Sequence, residues 1–537
     1  MRKRIIPARA CYRDKSCGVG ELRAKCRIVA LGHLDPDLAE INRPSGTPGR
    51  VSEHMIFVMM TAGFNRELFG TKHGWKAWSA DAATAFLQGK QARRLPIFLK
   101  PPNDGLIQLT NHWKAKLYRV RGNIYGLADA PATWSKEVIG RLTGAQYRQH
   151  SFDQQVFYKV VNAEIVSIIL VYVDDFIGLF RSDYDLGEIH ALFRWGAVTY
   201  FEENKPVTFK GKELTMIKRD GRFQLKITMT SFIDSLDVGV IKKGRLQQNP
   251  ALTLDEQKEL RSVSGCLQWV STQCRPEVSA IVSLTGHGAE ATITDLRNLY
   301  AIIKYLKQTP DDGLILPDIP FDENTVVLAY SDSSWANARK SGSQIGVIIC
   351  LTTESAAHIP APASIVDWRS CRSPRVCRST LAAEATAANE AADRAACVSM
   401  FASEFVFQEA AHRVGARLAI VAAVDAKSLY DALLSPAPNL NDKRTLVSVR
   451  AVPETLASND VKWVPTRFQF SDGLTKVDPN LTLLFRQWLQ QPVAILKESP
   501  ESIIWEQKVK ENITRESQGV NHAVTRATID LLPSSQT

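Results

Sequence analysis

Tyr172-Val173-Asp174-Asp175 sets two adjacent carboxylates between apolar runs at residues 165–171 and 176–180. Paired negative charges so flanked are costly unless compensated, and a divalent cation held by carboxylate oxygens compensates them directly. The β-branched run before the pair reads as a strand buried on both faces, and the run after it as its partner across a tight turn. Asp174 and Asp175 then stand side by side at a sheet edge. An Asp-Asp turn that merely caps a hairpin through its own backbone is the alternative, and the tetrapeptide alone leaves both open.

Further carboxylates fall at positions where they could join such chemistry. Asp81 follows the strand-like segment Trp75-Lys76-Ala77-Trp78-Ser79-Ala80 and precedes small residues, Ala82-Ala83-Thr84-Ala85, that let backbone approach a ligand. With Asp174 and Asp175 it makes a trio able to hold two Mg²⁺ ions, as nucleotidyl transfer requires. A second set begins at Asp332, after the strand-like residues 325–330. It continues with Glu384 at the start of an alanine-rich helix, Asp425 after the strand-like residues 418–424, and Asp472 in Ser471-Asp472-Gly473-Leu474-Thr475-Lys476. Four such acids can converge on two metals, which suits hydrolysis of a phosphodiester by an activated water. A lone Asp such as Asp425 would otherwise read as a helix cap.

The elements that position these acids need more than one core. At 537 residues the chain should hold two to four domains. Its 45% hydrophobic and 23% charged residues are ordinary for a globular protein and exclude wholesale disorder. The alternating residues 21–34 predict a half-exposed strand ended by Gly32, and Ser52 introduces a helix over residues 53–63. Helical spacing runs through residues 250–306, and the Pro- and Asp-rich residues 311–324 mark a boundary before a new α/β unit.

No uninterrupted apolar stretch reaches the ~18 residues of a membrane span, and the basic start Met1-Arg2-Lys3-Arg4 lacks the apolar region of a secretory signal. Nine cysteines, an odd number without zinc-site spacing, point to reduced thiols inside a cell. The net charge of +10 favours a polyanionic partner, although a basic run is also what a solvated face looks like.

Several segments together carry a resemblance. Lys25-Cys26-Arg27-Ile28-Val29-Ala30, Asp81 through Gly89, Ile124-Tyr125-Gly126-Leu127 with Pro131 and Trp134, and Tyr172-Val173-Asp174-Asp175 resemble, in order, the copia-type (Ty1/copia) retrotransposon reverse transcriptase. Phe209-Lys210-Gly211, Arg275-Pro276-Glu277 and residues 299–309 extend the match. The later region resembles the ribonuclease H portion of the same Pol polyprotein, through Ser341-Gly342-Ser343 with Gly346, Trp368-Arg369-Ser370 and residues 471–476.

The resemblance implies an α+β right-hand polymerase of fingers, palm and thumb, followed by an α/β ribonuclease H-like domain. The expected division is a basic N-terminal segment (1–20), fingers and palm (21–245), a helical thumb or connection (246–318), the ribonuclease H-like domain (325–480) and a polar C-terminal tail (481–537). Asp81, Asp174 and Asp175 match the polymerase carboxylates. Asp332, Glu384, Asp425 and Asp472 match those that cut the RNA of a hybrid. Phe86 matches the aromatic under the incoming sugar, with a core aromatic as its alternative. Lys25 and Arg27 lie where fingers cations meet a triphosphate. Phe209, Lys210 and Gly211 fall where the primer end is held, or form an ordinary turn. Arg369, Arg372, Arg375 and Arg378 could grip hybrid phosphates or form a solvated loop.

The implied cofactor is Mg²⁺, two ions per site, or Mn²⁺ in its place. The implied partners are an RNA template, a DNA primer and product, an RNA–DNA hybrid and dNTPs, with no membrane. The implied location is a cytoplasmic particle, the nucleus or both. A decayed transposon relic that folds and binds nucleic acid without catalysis is the competing reading. The chain departs from the family at Ala128-Asp129, where Lys-Gln is usual, at Glu277, where Asp is usual, and in the loop from Cys371 to Cys377. The chain reads as the end of a longer polyprotein, with protease and integrase expected upstream or absent.

Overall fold

The computed structural model describes residues 4–14, 21–41, 46–89, 96–108, 115–241, 243–247, 251–286, 291–456 and 460–518. Chain contacts divide the protein into two compact units, Met1–Pro48 with Trp78–Thr199, and Gly49–Ala77 with Tyr200–Thr537.

The first unit is organised by a six-stranded sheet in the order Trp195–Tyr200, Trp75–Ala82, Asp175–Arg181, Glu164–Tyr172, Val156–Val161, Arg148–Gln149. The hairpin forms as its sequence suggests. Tyr172 pairs with Asp175, and the antiparallel register runs back to Ser167 opposite Phe180. Residues 165–171 are buried throughout, because the run is apolar on both faces and both faces are covered. Helix Ala130–Gly144 supplies part of that cover. It carries Pro131 in its first turn, and Trp134, Val138 and Leu142 recur every fourth residue on its buried face, in one core with Ile169, Val171 and Phe176. A smaller sheet runs Ala24–Ala30, Ile5–Asp14, Phe98–Lys100, Tyr118–Arg119. Ile5–Asp14 therefore forms a strand within the segment that composition marks only as basic, paired antiparallel from Ala8↔Ala30 to Asp14↔Ala24.

In the second unit, helix Arg50–Phe64 is buried on every side from Ser52 to Gly63. It carries charge into that interior, so each charge needs a partner. Glu53 pairs with Lys210 at 3.1 Å and also with Lys212. Arg50 pairs with Asp367, donates to the Thr272 carbonyl at 2.9 Å, and shares Asp367 with Arg394, which lies 2.6 Å away. One helix thus ties a four-stranded sheet (Pro206–Phe209, Lys212–Arg219, Arg222–Thr228, Leu314–Leu316) to the later strands. The helical stretch resolves into Leu254–Gln273, opened by a Thr253/Glu256 capping box, then Ser279–Leu284 and Ile293–Gln308. Between them Arg275 is fully buried, paired with Glu277 at 2.5 Å and donating to the Thr309 carbonyl at 2.8 Å. Glu277 therefore supplies the partner of a buried guanidinium.

The later strands form a five-stranded sheet in the order Ser364–Arg372, Gly342–Thr353, Thr325–Ala338, Ile420–Val424, Val461–Trp463. The first three are antiparallel and the last two join in parallel. Helix Thr380–Phe407 buries alanines at 383, 387, 388, 391 and 395, small side chains that permit close packing. Part of the stretch that composition reads as a polar tail is built into this unit. Helix Pro479–Gln490 buries Trp488, stacked on Phe470 at 4.4 Å, and Val493–Ala494 pairs with Ala361–Pro362. Residues 15–20 of the basic N-terminal segment and residues 519–537 of the tail lie outside the described residues.

Candidate metal centres

The structure gathers the acids into two groups, one in each unit. Carboxylate oxygens of Asp81, Asp174 and Asp175 lie within 4.8 Å of one another, and so do those of Asp332, Asp425 and Asp472.

Asp81 sits near the end of strand Trp75–Ala82 and is exposed; Asp174 and Asp175, on the hairpin turn, are half-buried. The amide of Ala82 donates to the Asp174 carbonyl at 2.7 Å and fixes the turn against the strand that carries Asp81. Val173, the first central residue of the turn, has φ +58, while Asp174 does not share the positive sign. That pattern belongs to a type II′ turn, where glycine is the usual first residue, and a β-branched side chain there costs roughly 1–3 kcal/mol. The strained carbonyl of Val173 accepts the Trp134 indole N–H at 2.6 Å. Gly196 leaves room beside the group: a Cβ there would stand 3.1 Å from Asp81 Oδ2. Trp134 belongs to a motif named from sequence, but its bond to the turn, like the need for Gly196, is evident only in three dimensions.

The second group is deeper. Asp332 and Asp472 are buried and Asp425 half-buried. Burial, and then the charge of Asp472, hold the Asp332 carboxyl well above the carboxylate range, and the same two causes raise Asp425. Glu384 stands outside the tight trio, yet burial and then the charge of Asp425 push it up to about 7. Lys476, four residues after Asp472, places its ammonium 2.9 Å from Asp472 and 3.8 Å from Asp332. Burial opposes its charge, but Asp332 and Asp472 outweigh that and hold its pKa above the ordinary value. Thr475 donates its hydroxyl to Asp332. The buried carboxylates of the second group cannot all ionise without a cation beside them, and both groups offer the all-oxygen donors that a hard divalent metal such as Mg²⁺ takes.

The remaining expected site residues are placed as follows. Lys25 and Arg27 lie on strand Ala24–Ala30, and Arg27 sits over the Tyr125 ring at 5.4 Å. Phe86, on the single turn Ala85–Gln88, meets Tyr125 edge to face at 5.6 Å. Phe209-Lys210-Gly211 forms a tight turn with φ +52 at Lys210 and +74 at Gly211. Phe209 is buried against Phe57, and Lys210 is paired with Glu53. Arg369 is paired with Glu390 at 2.6 Å, whereas Arg372, Arg375 and Arg378 are exposed.

Fold and sites together define an α+β protein with two acidic centres suited to divalent cations. Residues 1–193 match the reverse transcriptase (RNA-dependent DNA polymerase) family, the part of the chain that carries most of the copia-type motifs. The chain is 26% identical over 396 residues to the Retrovirus-related Pol polyprotein from transposon RE2 of Arabidopsis thaliana, covering 71% of this chain and 25% of that one. The corresponding polyprotein from transposon RE1 is 26% identical over 397 residues with the same coverage. The chain thus spans 25% of the length of these curated relatives. Among solved structures, a foamy viral protease-reverse transcriptase in complex with RNA/DNA hybrid aligns over 86% of this chain and 50% of its own, at 10% identity and a TM-score of 0.41. The native prototype foamy virus protein aligns over the same shares at 13% identity and a TM-score of 0.21. No helix among the described residues is long and apolar enough to cross a membrane.

Proposed function

We propose that the chain is an RNA-directed DNA polymerase joined to a ribonuclease H, copying retrotransposon RNA into DNA and removing the RNA of the resulting hybrid. The observation that carries this reading is the convergence of two separate carboxylate trios, drawn from distant points of the sequence, in a chain whose residues 1–193 match the reverse transcriptase family. In functional terms we retain fingers and palm at 21–245, thumb or connection at 246–318 and the ribonuclease H-like domain at 325–480.

Asp81, Asp174 and Asp175 would hold Mg²⁺ in the first centre, and Asp332, Asp425 and Asp472, with Glu384 beside them, in the second. Bound there, Mg²⁺ would lower the pKa of a hydroxyl or water and neutralise phosphate oxygens. The chain's own part is to orient. The strained turn holds Asp174 and Asp175 beside Asp81, Lys476 balances Asp332 and Asp472, and Phe86 against Tyr125 stands as the candidate wall for the incoming sugar. Lys25 and Arg27 are proposed to meet the triphosphate, and Phe209-Lys210-Gly211 the primer end, through exposed backbone rather than the buried Phe209 ring. Template RNA, primer DNA, hybrid and dNTPs are the proposed partners.

Primer extension on an RNA template with Mg²⁺, beside Asp174→Asn, tests the polymerase. Incorporation of dNTPs by the parent and its loss in the variant are expected; no incorporation by the parent points instead to a folded relic. Degradation of a labelled hybrid, lost in Asp332→Asn, tests the second centre separately.

A further inference from the structure

We propose that Trp335 and Trp463 are substrate-seating residues of the second acidic centre, two aromatic contacts that receive the sugar faces of an RNA–DNA hybrid. The inference rests on the ribonuclease reading of that centre and goes beyond its acids. Tryptophan is usually largely buried, yet Trp335 is 48% exposed and Trp463 45% exposed. Both stand at the C-terminal ends of strands that run parallel in the five-stranded sheet, where open α/β sheets place their ligands. In sheet order they flank strand Ile420–Val424, which leads into Asp425.

The backbone presents Trp335 deliberately. Strand Thr325–Ala338 keeps register with its neighbour to Ser334↔Gln344 and resumes only at Ala338↔Gly342, so the intervening residues bulge out. Within the bulge Ala336 has φ +57, a left-handed conformation that a Cβ disfavours. Bulges re-aim side chains beside functional sites, and strain persists where the surroundings hold it. Here Asn337 donates to the Thr475 carbonyl at 2.9 Å, and Thr475 in turn bonds Asp332. The bulge is therefore tied to the acidic centre itself.

Each indole has already spent its one polar group. Trp335 Nε1–H donates to the Cys377 carbonyl at 3.0 Å, and Trp463 Nε1–H donates to the carbonyl of Asp425 at 2.8 Å. What remains for a ligand is apolar ring surface. Through Cys377, Trp335 also fixes the loop that bears exposed Arg375 and Arg378, cations suited to phosphate. Apolar ring beside cation is the pairing that a nucleic-acid backbone presents, sugar next to phosphate. A-form hybrids display sugars in a wide, shallow minor groove open to such contacts.

The full chain labelled with 5-fluorotryptophan, in an Asp332→Asn background that cannot turn over, tests this directly. Trp335→Phe and Trp463→Phe assign the two fluorine resonances. Several equivalents of a short RNA–DNA hybrid should shift both resonances, and the DNA duplex of the same sequence should not. Both resonances unmoved while a labelled hybrid is seen to bind would overturn the proposal. With active protein, Trp335→Ala and Trp463→Ala should raise KM for hybrid cleavage roughly tenfold with kcat unchanged. The Phe variants, which keep a ring but lose the N–H, should hold KM near the parent value; if they fail as the Ala variants do, the indoles act by pinning backbone and the seat is wrong. A parent that leaves hybrid uncut removes the ribonuclease reading, and the fluorine titration then still decides whether hybrid contacts the two rings.

Discussion

The two acidic centres use the same donor chemistry in opposite surroundings. Asp81, Asp174 and Asp175 are exposed or half-buried on a strand and a hairpin turn, while Asp332 and Asp472 are buried, with Lys476 among them. Water reaches an open centre and screens its charges. Burial forces the deep centre to compensate internally, by holding protons or by enlisting Lys476. The open centre spends its structural cost elsewhere, on the left-handed Val173 that brings Asp174 and Asp175 to the strand of Asp81. One site is organised by backbone strain and the other by charge balance.

Removing one acid from each centre tests whether the two act independently. Asp174→Asn should lower primer extension by on the order of 10³-fold and leave hybrid cleavage intact, and Asp332→Asn should do the reverse, since each removes a ligand worth several kcal/mol of transition-state stabilisation. Loss of both activities in either variant would mean that the centres are not independent.

A smaller effect concerns the buried scaffold of the second unit. His54 is fully buried against Trp368 at 5.3 Å, and burial, then the charge of Arg50, lower its pKa to about 3. Asp367 pulls the other way, and Lys210 adds to the lowering. The unfolded chain protonates this imidazole first, near pH 6.5, so the stability due to neutral His54 is complete above that pH and is lost as pH falls toward 3. At pH 5 the loss is about 2 kcal/mol. The thermal midpoint of the second unit should fall between pH 7 and pH 5, and His54→Phe should flatten that slope; a parallel slope in the variant would exclude the imidazole as its source.

Much of this organisation is legible in the sequence where a residue contradicts its neighbours. An acid pair inside apolar runs announces the hairpin, and acids that follow strand-like runs announce Asp81, Asp332 and Asp425. Less is legible where meaning depends on a distant partner. The arginines at 9 and 13 mask the strand Ile5–Asp14, whose identity comes from pairing with Ala24–Ala30. The bulge at residues 335–337 exists only relative to the register of Gly342–Thr353. Lys476 stands four residues after Asp472, a spacing visible in the sequence, but helix-like proximity becomes a charge balance only once Asp332 is brought beside it. Trp488 lies in a stretch whose average composition is polar, and averages hide a single buried ring.

Lys476→Met isolates the charge balance of the deep centre. With its side chain 39% exposed, the pair is partly screened, so the metal-free protein should lose only about 1 kcal/mol. The ammonium also competes with any cation for Asp332 and Asp472. Its removal should therefore lower the Mg²⁺ concentration that half-saturates hybrid cleavage, and added Mg²⁺ should restore the lost stability. Primer extension should keep its Mg²⁺ dependence; a shift there instead would place Lys476 in the wrong centre.

Trp134→Phe is the matching change at the open centre and has the smallest expected effect. The ring stays in the core with Val138 and Phe176, while the 2.6 Å bond to the Val173 carbonyl disappears. A single neutral hydrogen bond is worth about 1 kcal/mol net, which is the size of the strain it helps to hold. The turn should then populate relaxed conformations in which Asp174 and Asp175 drift from Asp81. Primer extension should fall several-fold at limiting Mg²⁺ and recover as Mg²⁺ rises, because the metal itself re-gathers the carboxylates. Hybrid cleavage should not change. Extension that is equally impaired at every Mg²⁺ concentration would show that the indole acts on something other than the geometry of the turn.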